Sequence, residues 1–554
     1  VQAPAFKPQK GDFMSIDAAE VDVLVVGAGP VGLMAASELR RHDLKVRLID
    51  KLAEPSSRSK ALAVWARTLE IFEAKGIANE ALQRGNRMHA ANIYCEQRKL
   101  VHMSLDGLDS KYQFALILPQ YETERLLTEH LGSLGCTVER PVELLGFEQE
   151  ASGVIARLRL ADGSEQSQRA RWLLGCDGAH STVRHALQAP FDGVSEKIDF
   201  ALADVVVEGP LSRDEVHLFW HKDGVLALFP LDDKRVRVIV DRGNLTDESC
   251  DPTLEEMQRY VDERGPGGQQ LSDPRWLACF KVNERQVQSY RHGNVFLAGD
   301  AAHVHSPAGG QGMNLGLQDA WNLAWKMALV AHGQAAPSLL DTYSPERHAI
   351  GREIIRGASF ATRVATLRNP LAQSMRNGIA SLLASQEFVL NKMRATISEL
   401  ELYYAKSPLS VEHRGREAEF WKLDRGVRPG EKAPDVQLGQ RWLQQDWDGC
   451  RFHLLLLEGP SPPRALMDEM KHVLEAANMP HIVPHWIGLS AYGPPDVPYL
   501  ADSDGEVHRR FGAGRACAYL IRPDGYVGYR GMPPDAESLR QYLRSIFIAV
   551  PAQI

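Results

Sequence analysis

Arg291–Met327 reads RHGNVFLAGDAAHVHSPAGGQGMNLGLQDAWNLAWKM. An apolar strand, Val295–Ala298, ends in Gly299-Asp300. A Gly-rich loop follows, then a long helical pattern. A carboxylate at the end of a parallel strand suits a polyol hydroxyl. Pro307, Gly309, Gly310 and Gly312 let the backbone approach a flat ring closely. A helix that begins near Met313 and Asn314 would set its positive end against that ring.

Far upstream, Val21–Leu39 reads VDVLVVGAGPVGLMAASEL. Val21–Val26 is a continuous apolar run, as a strand buried on both faces of a parallel sheet requires. Gly27, Gly29 and Gly32 then give G-x-G-x-x-G. Gly27 permits the tight turn, Gly29 admits a pyrophosphate to the backbone, and Gly32 lets helix and strand pack closely. A helix from Pro30 to His42 would aim its N-terminal amides at that pyrophosphate. A second strand, Lys45–Ile49, ends at Asp50, at the distance of a ribose-binding acid. A nucleotide fingerprint and a distant carboxylate loop together point to one long ligand held at both ends. FAD fits that description, whereas NAD does not need the second loop.

Between the two lies Trp172–Arg184, another strand that ends in Asp177-Gly178 and enters a helix. Asp-Gly with Ser181 fits a type I turn and an N-cap. Arg184 follows Ser181 by about one helical turn, so both residues could also face one ligand.

The 554 residues are enough for several domains, and 44% hydrophobic residues support sizeable cores. A formal charge of −8 argues against nucleic acid as partner. Seven cysteines without a C-x-x-C predict free thiols in a reducing cytoplasm. No apolar run approaches the roughly 20 residues that span a bilayer, and no membrane partner is expected. No metal-ligand pattern stands out. Residues 1–14 are expected to be a flexible leader.

Asp214–Asp241 alternates in strand fashion, with turn signals between the runs. With Ala91–Leu100 and Gln113–Leu118 it predicts an antiparallel sheet over the cofactor, offering an apolar pocket for a planar substrate. His217, His221, Tyr112 and Phe219 are candidates for its lining, and each also fits an ordinary structural residue. His303 and His305 are expected to shape the flavin loop. Phe360–Tyr404 is helical, with Ile379, Leu382, Leu383 and Val389 at helical spacing. Gly426–Gly439 reads as a linker. A strand at Phe452–Leu457, a helix at Arg464–Ala477, a strand near Ile482–Leu489, a hairpin through Pro523-Asp524-Gly525 and a helix at Asp535–Phe547 follow.

The G-x-G-x-x-G at Gly27–Gly32, the D-G at Asp177-Gly178 and the G-D at Gly299-Asp300 together resemble class A flavoprotein aromatic hydroxylases. GDAAHVHSPAGGQGMNLGLQDAWNLAWKM is similar to the phenol hydroxylase branch, as is Pro119-Gln120 followed by Glu124-Arg125-Leu126-Leu127. The resemblance implies an α/β fold. Its Rossmann-like FAD-binding domain of p-hydroxybenzoate hydroxylase type comprises 15–90, 120–190 and 285–360. A mixed β-sheet substrate domain at 91–119 and 191–284 is interleaved with it. A helical segment and linker at 361–425 lead to a thioredoxin-like domain at 426–554. Gln120 would touch the flavin side of FAD, and Arg184 would serve both nucleotides. Where relatives carry an Arg that contacts the FAD phosphates, this chain has Lys60, a point charge without a fork. Arg67-Thr68-Leu69-Glu70 matches a phenol hydroxylase motif, but the position of that enzyme's catalytic Asp is Leu62.

The activity implied is NAD(P)H-dependent hydroxylation of an electron-rich, phenolic ring. Dioxygen would add to the 4a carbon of reduced flavin to give the oxygenating hydroperoxide. Tailoring or inactivation of a polycyclic polyketide or antibiotic is the alternative. NADPH or NADH would bind transiently, and a homodimer is compatible with the resemblance. No base for the substrate is identifiable. Leu457-Glu458-Gly459-Pro460 lacks the dithiol of a redox thioredoxin, and Cys450 and Cys517 are far apart, so the last domain is expected to be architectural or dimerising. Rival readings are an FAD dehydrogenase or disulfide reductase, which needs a cysteine pair or a second complete NAD unit, and an FAD-binding protein without oxygenase activity.

Overall fold

The computed structural model describes residues 16–17, 20–56, 59–96, 98–243, 251–415, 426–490 and 497–550. The leader expected at 1–14 and the end of the 361–425 segment lie outside them.

Five parallel strands underlie the nucleotide motifs, in the order Val138–Glu139, Val46–Ile49, Val21–Val26, Glu165–Gly175 and Val295–Leu297. Val23, Leu24, Val25, Leu48, Leu173 and Phe296 are all buried, which accounts for unbroken apolar runs in place of alternation. The Glu165–Gly175 strand changes role along its length. Its first half closes an antiparallel meander with Gly153–Arg159 and Glu143–Glu150, and its second half joins the parallel strands. Helix Pro30–Arg41 packs on this sheet, and helices Gln120–Ser133 and Gly312–Ala331 pack against that helix.

A second, eight-stranded sheet runs His303–Val304, Gln270–Val287, Phe191–Glu208, Arg235–Gly243, Gly224–Pro230, Glu215–His221, Ala90–Cys95, Arg98–Ser104. It is mixed, not purely antiparallel, because Glu215–His221 runs parallel to Ala90–Cys95. Ala115–Ile117 does not join it. That strand pairs with Ala63–Val64 and Asn86–Met88 in a separate small sheet.

The C-terminal sheet has the order Val411–Arg414, Val527–Met532, Cys517–Ile521, Phe452–Leu457, Ile482–Gly488, Tyr499–Ala501. Helices Arg464–Ala476 and Ala536–Ile546 accompany it, and Asp535 caps the second by accepting the Ser538 N–H. The expected linker is not one. Ala433 and Val436 are buried with Leu443, Trp447 and Leu455 in this unit's core, so the segment is tied down by packing.

A buried polar network fastens the C-terminal unit to the helices behind the Gly-rich loop. Arg522 donates to both Glu346 oxygens at 2.7 and 3.0 Å and also pairs with Asp524. Asn322 Nδ2 donates to Glu346 and Asp524 at 2.8 and 3.1 Å, and Lys326 Nζ reaches Glu346 at 2.7 Å. The cations hold the Glu346 carboxyl well below the usual range against the cost of its burial.

Candidate cofactor and substrate site

Register brings the three motifs to one edge. Val26, Gly175 and Leu297 stand level in adjacent strands, so Gly27, Asp177 and Asp300 leave the sheet together. Open parallel sheets take their ligands at this carboxyl edge. Gly27 has φ +99°, and a Cβ there would lie 2.5 Å from the Cys176 carbonyl oxygen. A Cβ on Gly32 would meet the Gly27 carbonyl oxygen at 1.8 Å. By contrast, nothing stands within 4 Å of a Cβ built on Gly29. The space in front of Pro30 is therefore open. The helix has neither a side-chain cap nor an acidic residue in its first turn, which leaves its first N–H groups to an anion.

Asp50 stands beside this turn. Its Oδ2 accepts the Ala28 N–H at 2.7 Å, and its Oδ1 accepts the Leu52 N–H at 2.8 Å and meets Arg140 Nη1 at 3.1 Å. A carboxylate offers about four acceptor positions, so one is left for a ribose hydroxyl. Arg140 carried no sequence signal; the strand order alone brings it here.

At the Asp-Gly loop the turn-and-cap reading describes the geometry. Ser181 Oγ donates to Asp177 and accepts the Arg184 N–H at 2.9 Å, and Asp177 Oδ2 accepts the Val183 N–H at 3.2 Å. Ser181 thus faces the protein, not a ligand. Burial raises the Asp177 carboxyl. Arg184 is buried and donates to the carbonyls of Ala179 and Ala301 at 2.7 and 3.2 Å. It joins the Asp177 loop to the Asp300 loop.

Asp300 is exposed, and its carboxylate takes no hydrogen bond among the described residues. The loop that presents it is held from behind by Asp319, which is wholly buried. Asp319 Oδ2 accepts the Gly299 N–H at 3.0 Å and meets His303 Nε2 at 2.7 Å, while Oδ1 meets Arg347 Nε at 2.7 Å. His303 therefore shapes the loop. Sequence reasoning passed over Asp319 and Arg347, although a lone acid inside the apolar run LGLQDAWNLAW was a signal.

The Gly-rich loop is pinned to a neighbouring segment. Gly309 and Gly310 take φ +89° and +64°, and a Cβ on Gly310 would crowd Ala63 at 3.1 Å. Asn314 Nδ2 donates to the carbonyls of Ala63 and Gly310 at 2.8 and 2.9 Å, and its Oδ1 accepts the Trp65 N–H at 3.0 Å. Pro307 is exposed, Gly312 half-buried, and Met313 buried. Buried His305 Nε2 has no partner among the described residues. Gln120 reaches the same segment: its Oε1 accepts the Ala61 N–H at 3.2 Å, beside exposed Lys60. Residues 59–65 thus link Gln120 to the Gly-rich loop. An open cradle at Gly29, an exposed Asp300 carboxylate without a hydrogen bond among the described residues and glycine backbone between them fit FAD.

In the eight-stranded sheet the candidate residues His217, Phe219 and His221 share one face. Phe219 lies in the core with Met257 and Val261, under the Leu254–Arg264 helix. His217 Nε2 meets the Ser212 carbonyl oxygen at 3.2 Å, and its ring stacks on Tyr94. Burial lowers the pKa of both His217 and His221, and His221 pairs with Asp223. All three side chains occupy the face opposite to the one that meets the FAD-binding domain. That inner face carries Leu218, Phe229, Arg237, Ile239, Trp276 and Ala278, placed by the pairing of their strands. Arg237 marks the junction. It grips Asp204 with two bonds at 2.6 and 2.7 Å and donates to the Ser59 carbonyl oxygen at 2.5 Å. Tyr112 is elsewhere. Its hydroxyl donates to Glu73 at 3.3 Å on the Ala66–Ala74 helix, where burial drives its pKa up.

A family model described as "FAD binding domain" matches residues 20–358. 6-Methylpretetramide 4-monooxygenase of Streptomyces rimosus is 35% identical over 95% of this chain and 93% of its own length. Pentachlorophenol 4-monooxygenase of Sphingobium chlorophenolicum is 32% identical over 96% and 97%. The chain belongs to the class A flavoprotein hydroxylases. As such it is an FAD-dependent aromatic monooxygenase, an oxidoreductase with NAD(P)H as reductant. Its fold matches that of OxyS, the anhydrotetracycline hydroxylase of Streptomyces rimosus, with TM-score 0.74 and 28% identity, over 96% of this chain and all of that one. Among the described residues no helix is long and apolar enough to cross a membrane, and no cluster of His, Cys, Asp and Glu could hold a metal.

Proposed function

We propose that this class A hydroxylase oxygenates a polycyclic phenol laid against the inner face of the eight-stranded sheet. The observation that carries this is the row of half-buried apolar side chains there: Leu218, Phe229, Ile239, Trp276, Ala278 and Phe280. They lie on four of the five adjacent strands from Gln270–Val287 to Glu215–His221, and four spacings of about 4.8 Å make that face about 19 Å wide; at one end Ile239 and Phe280 share a cluster with Val364, Ala365 and Ala380. A surface of that size suits a fused-ring substrate more than a single ring. Leu62, buried and apolar, stands where phenol hydroxylase has its catalytic Asp. The relatives named 6-methylpretetramide 4-monooxygenase and 12-dehydrotetracycline 5-monooxygenase/anhydrotetracycline 6-monooxygenase agree with the reading. A monocyclic phenol is the second reading, favoured by the pentachlorophenol 4-monooxygenase relative.

Bound FAD supplies hydride acceptance and oxygen activation. In this proposal the chain's residues bind and orient it. The amides behind Gly29 hold the pyrophosphate, Asp50 a ribose hydroxyl, Asp300 a ribityl hydroxyl, and Gly309–Asn314 with Gln120 and Lys60 border the ring system. The inner sheet face excludes water from the ring that is oxidised. The C-terminal unit reads as a thioredoxin-like fold with an architectural role. Its Phe452–Leu457 strand pairs parallel with one neighbour and antiparallel with the other. Burial pushes Cys450 up to about 11 and Cys517 up to about 12, so both stay thiols.

The test is a panel of monocyclic phenols, flavonoids and fused-ring polyketides, scored for stimulated NAD(P)H oxidation and for product mass. The proposal expects fused-ring compounds to give coupled oxygenation. Coupling with single-ring phenols alone would contradict it.

A further inference from the structure

Of the thirteen exposed large apolar side chains among the described residues, eight lie between 360 and 393. Phe388 is 81% exposed, Leu371 73% and Phe360 71%, with Met375, Ile379 and Leu382 beside them. A monomer seldom leaves such a patch bare without a use for it. On the Pro370–Leu383 helix Leu371, Met375, Ile379 and Leu382 form the side away from the protein. The opposite side is anchored: Gln373 donates to the Lys222 carbonyl oxygen at 3.0 Å, Arg376 lies 4.3 Å from the Trp220 ring centroid, and Asn377 meets Cys95 Sγ at 3.1 Å. The apolar spacing that reads as core is therefore an outward face.

Charge decides what covers it. Between 352 and 394 the chain has seven Arg and Lys against two Glu, although the whole chain carries −8; of the seven, Arg376 and Arg394 are buried, Arg368 pairs with Asp241 and Lys392 pairs with Glu401. Arg352, Arg356 and Arg363 are exposed on one helix, with Glu353 the one exposed acid among them. Screening limits each charge to about 8 Å at physiological salt, so the local excess governs contact and the distant negative charge does not. A second copy meeting this patch by twofold symmetry would bring like charges together. Exposed apolar side chains beside a helix with an excess of arginine instead match a bilayer surface, with the apolar groups in the acyl boundary and Arg among anionic headgroups. Such binding needs no membrane-spanning helix.

We propose that the Phe360–Met393 helices dock this hydroxylase reversibly on an anionic lipid surface. The anchored side of the same helix touches Trp220 at one end of the substrate sheet, so docking would place that sheet near the phase into which an apolar, fused-ring phenol partitions. This last point rests on the proposed substrate class; the docking does not.

The experiment uses the full-length FAD-loaded protein in co-sedimentation with phosphatidylcholine vesicles, with and without phosphatidylglycerol. Sedimentation should require phosphatidylglycerol and weaken at high salt. The double variant Leu371→Gln, Phe388→Gln should lose about tenfold or more in vesicle affinity. Arg352→Gln with Arg356→Gln should lose on the order of tenfold or more, from about 1 kcal/mol per cation near the surface. Both should keep FAD and oxidise NAD(P)H at the parent rate with a water-soluble phenol. Size-exclusion chromatography on the same samples supplies the counter-test. No sedimentation of the parent, equal sedimentation of parent and apolar variant, or a dimer that the apolar variant disrupts would each overturn the proposal. A null screen of fused-ring substrates beside normal vesicle binding would fault the substrate reading alone.

Discussion

At the scale of single residues, two carboxyls do opposite things. Asp300 is exposed and accepts no hydrogen bond among the described residues, as the proposed acceptor of a ribityl hydroxyl should. Asp300→Ala should weaken FAD binding by about 1.5–3 kcal/mol, roughly tenfold to a hundredfold, since the lost bond is to a charged group. Flavin fluorescence titration reads it, and an unchanged affinity would remove Asp300 from the site. Glu399 is buried, accepts a bond from Gln318, and is pushed up to about 8 by burial. A carboxyl with a raised folded pKa stabilises fully below its unfolded value of about 4.3 and loses that contribution as pH rises toward about 8. Glu399→Gln, which keeps the neutral form at every pH, should flatten the fall of melting temperature across this window. A parallel fall in both proteins would show that Glu399 is not the group responsible.

At the scale of elements, the sequence exposes repeats more readily than orientations. Val21–Val26, the helix after it and the Gly-Asp loop were legible because fixed spacing and glycine have local physical causes. Strands between 214 and 241 were legible from alternation. Which side of them meets the cofactor domain was not, because period-2 alternation is symmetric and only tertiary packing chooses a face. His217, Phe219 and His221 therefore drew attention, while Phe229, Ile239 and Trp276 did not. Tyr112 misled for a different reason: its strand neighbour, Ala115–Ile117, pairs outside the sheet. Phe229→Ala should raise KM for the aromatic substrate about tenfold or more, from a loss of about 1.5–3 kcal/mol of apolar contact, with FAD content unchanged. His217→Ala should leave KM near the parent value. Steady-state kinetics of the pair decides between the faces, and the reverse pattern would restore the original reading.

At the scale of the whole molecule, the C-terminal unit is bolted on by charge. Arg522, Asp524, Glu346, Lys326 and Asn322 form one buried cluster, and Arg347–Asp319 continues from the Glu346 helix to the loop of Asp300. Arg522→Ala leaves two buried carboxylates undercompensated and should cost about 3–5 kcal/mol of stability. Thermal unfolding checks it, and a change below about 1 kcal/mol would mean the cluster is wetter than its burial implies. Cys450→Ser with Cys517→Ser should cost modest stability and leave coupled turnover near the parent value, because neither thiol ionises or faces the other. Turnover lost with folding and FAD intact would give the unit a redox role.

Oxygen transfer to an aromatic ring by the FAD-loaded chain is the defining reaction of this enzyme. A single-turnover reaction with NADPH, a fused-ring phenol and isotopically labelled dioxygen tests it most directly. One labelled oxygen in the product, with NADPH consumed in proportion, is the expected result. NADPH consumption that yields only hydrogen peroxide, with every aromatic substrate recovered unlabelled, would contradict it.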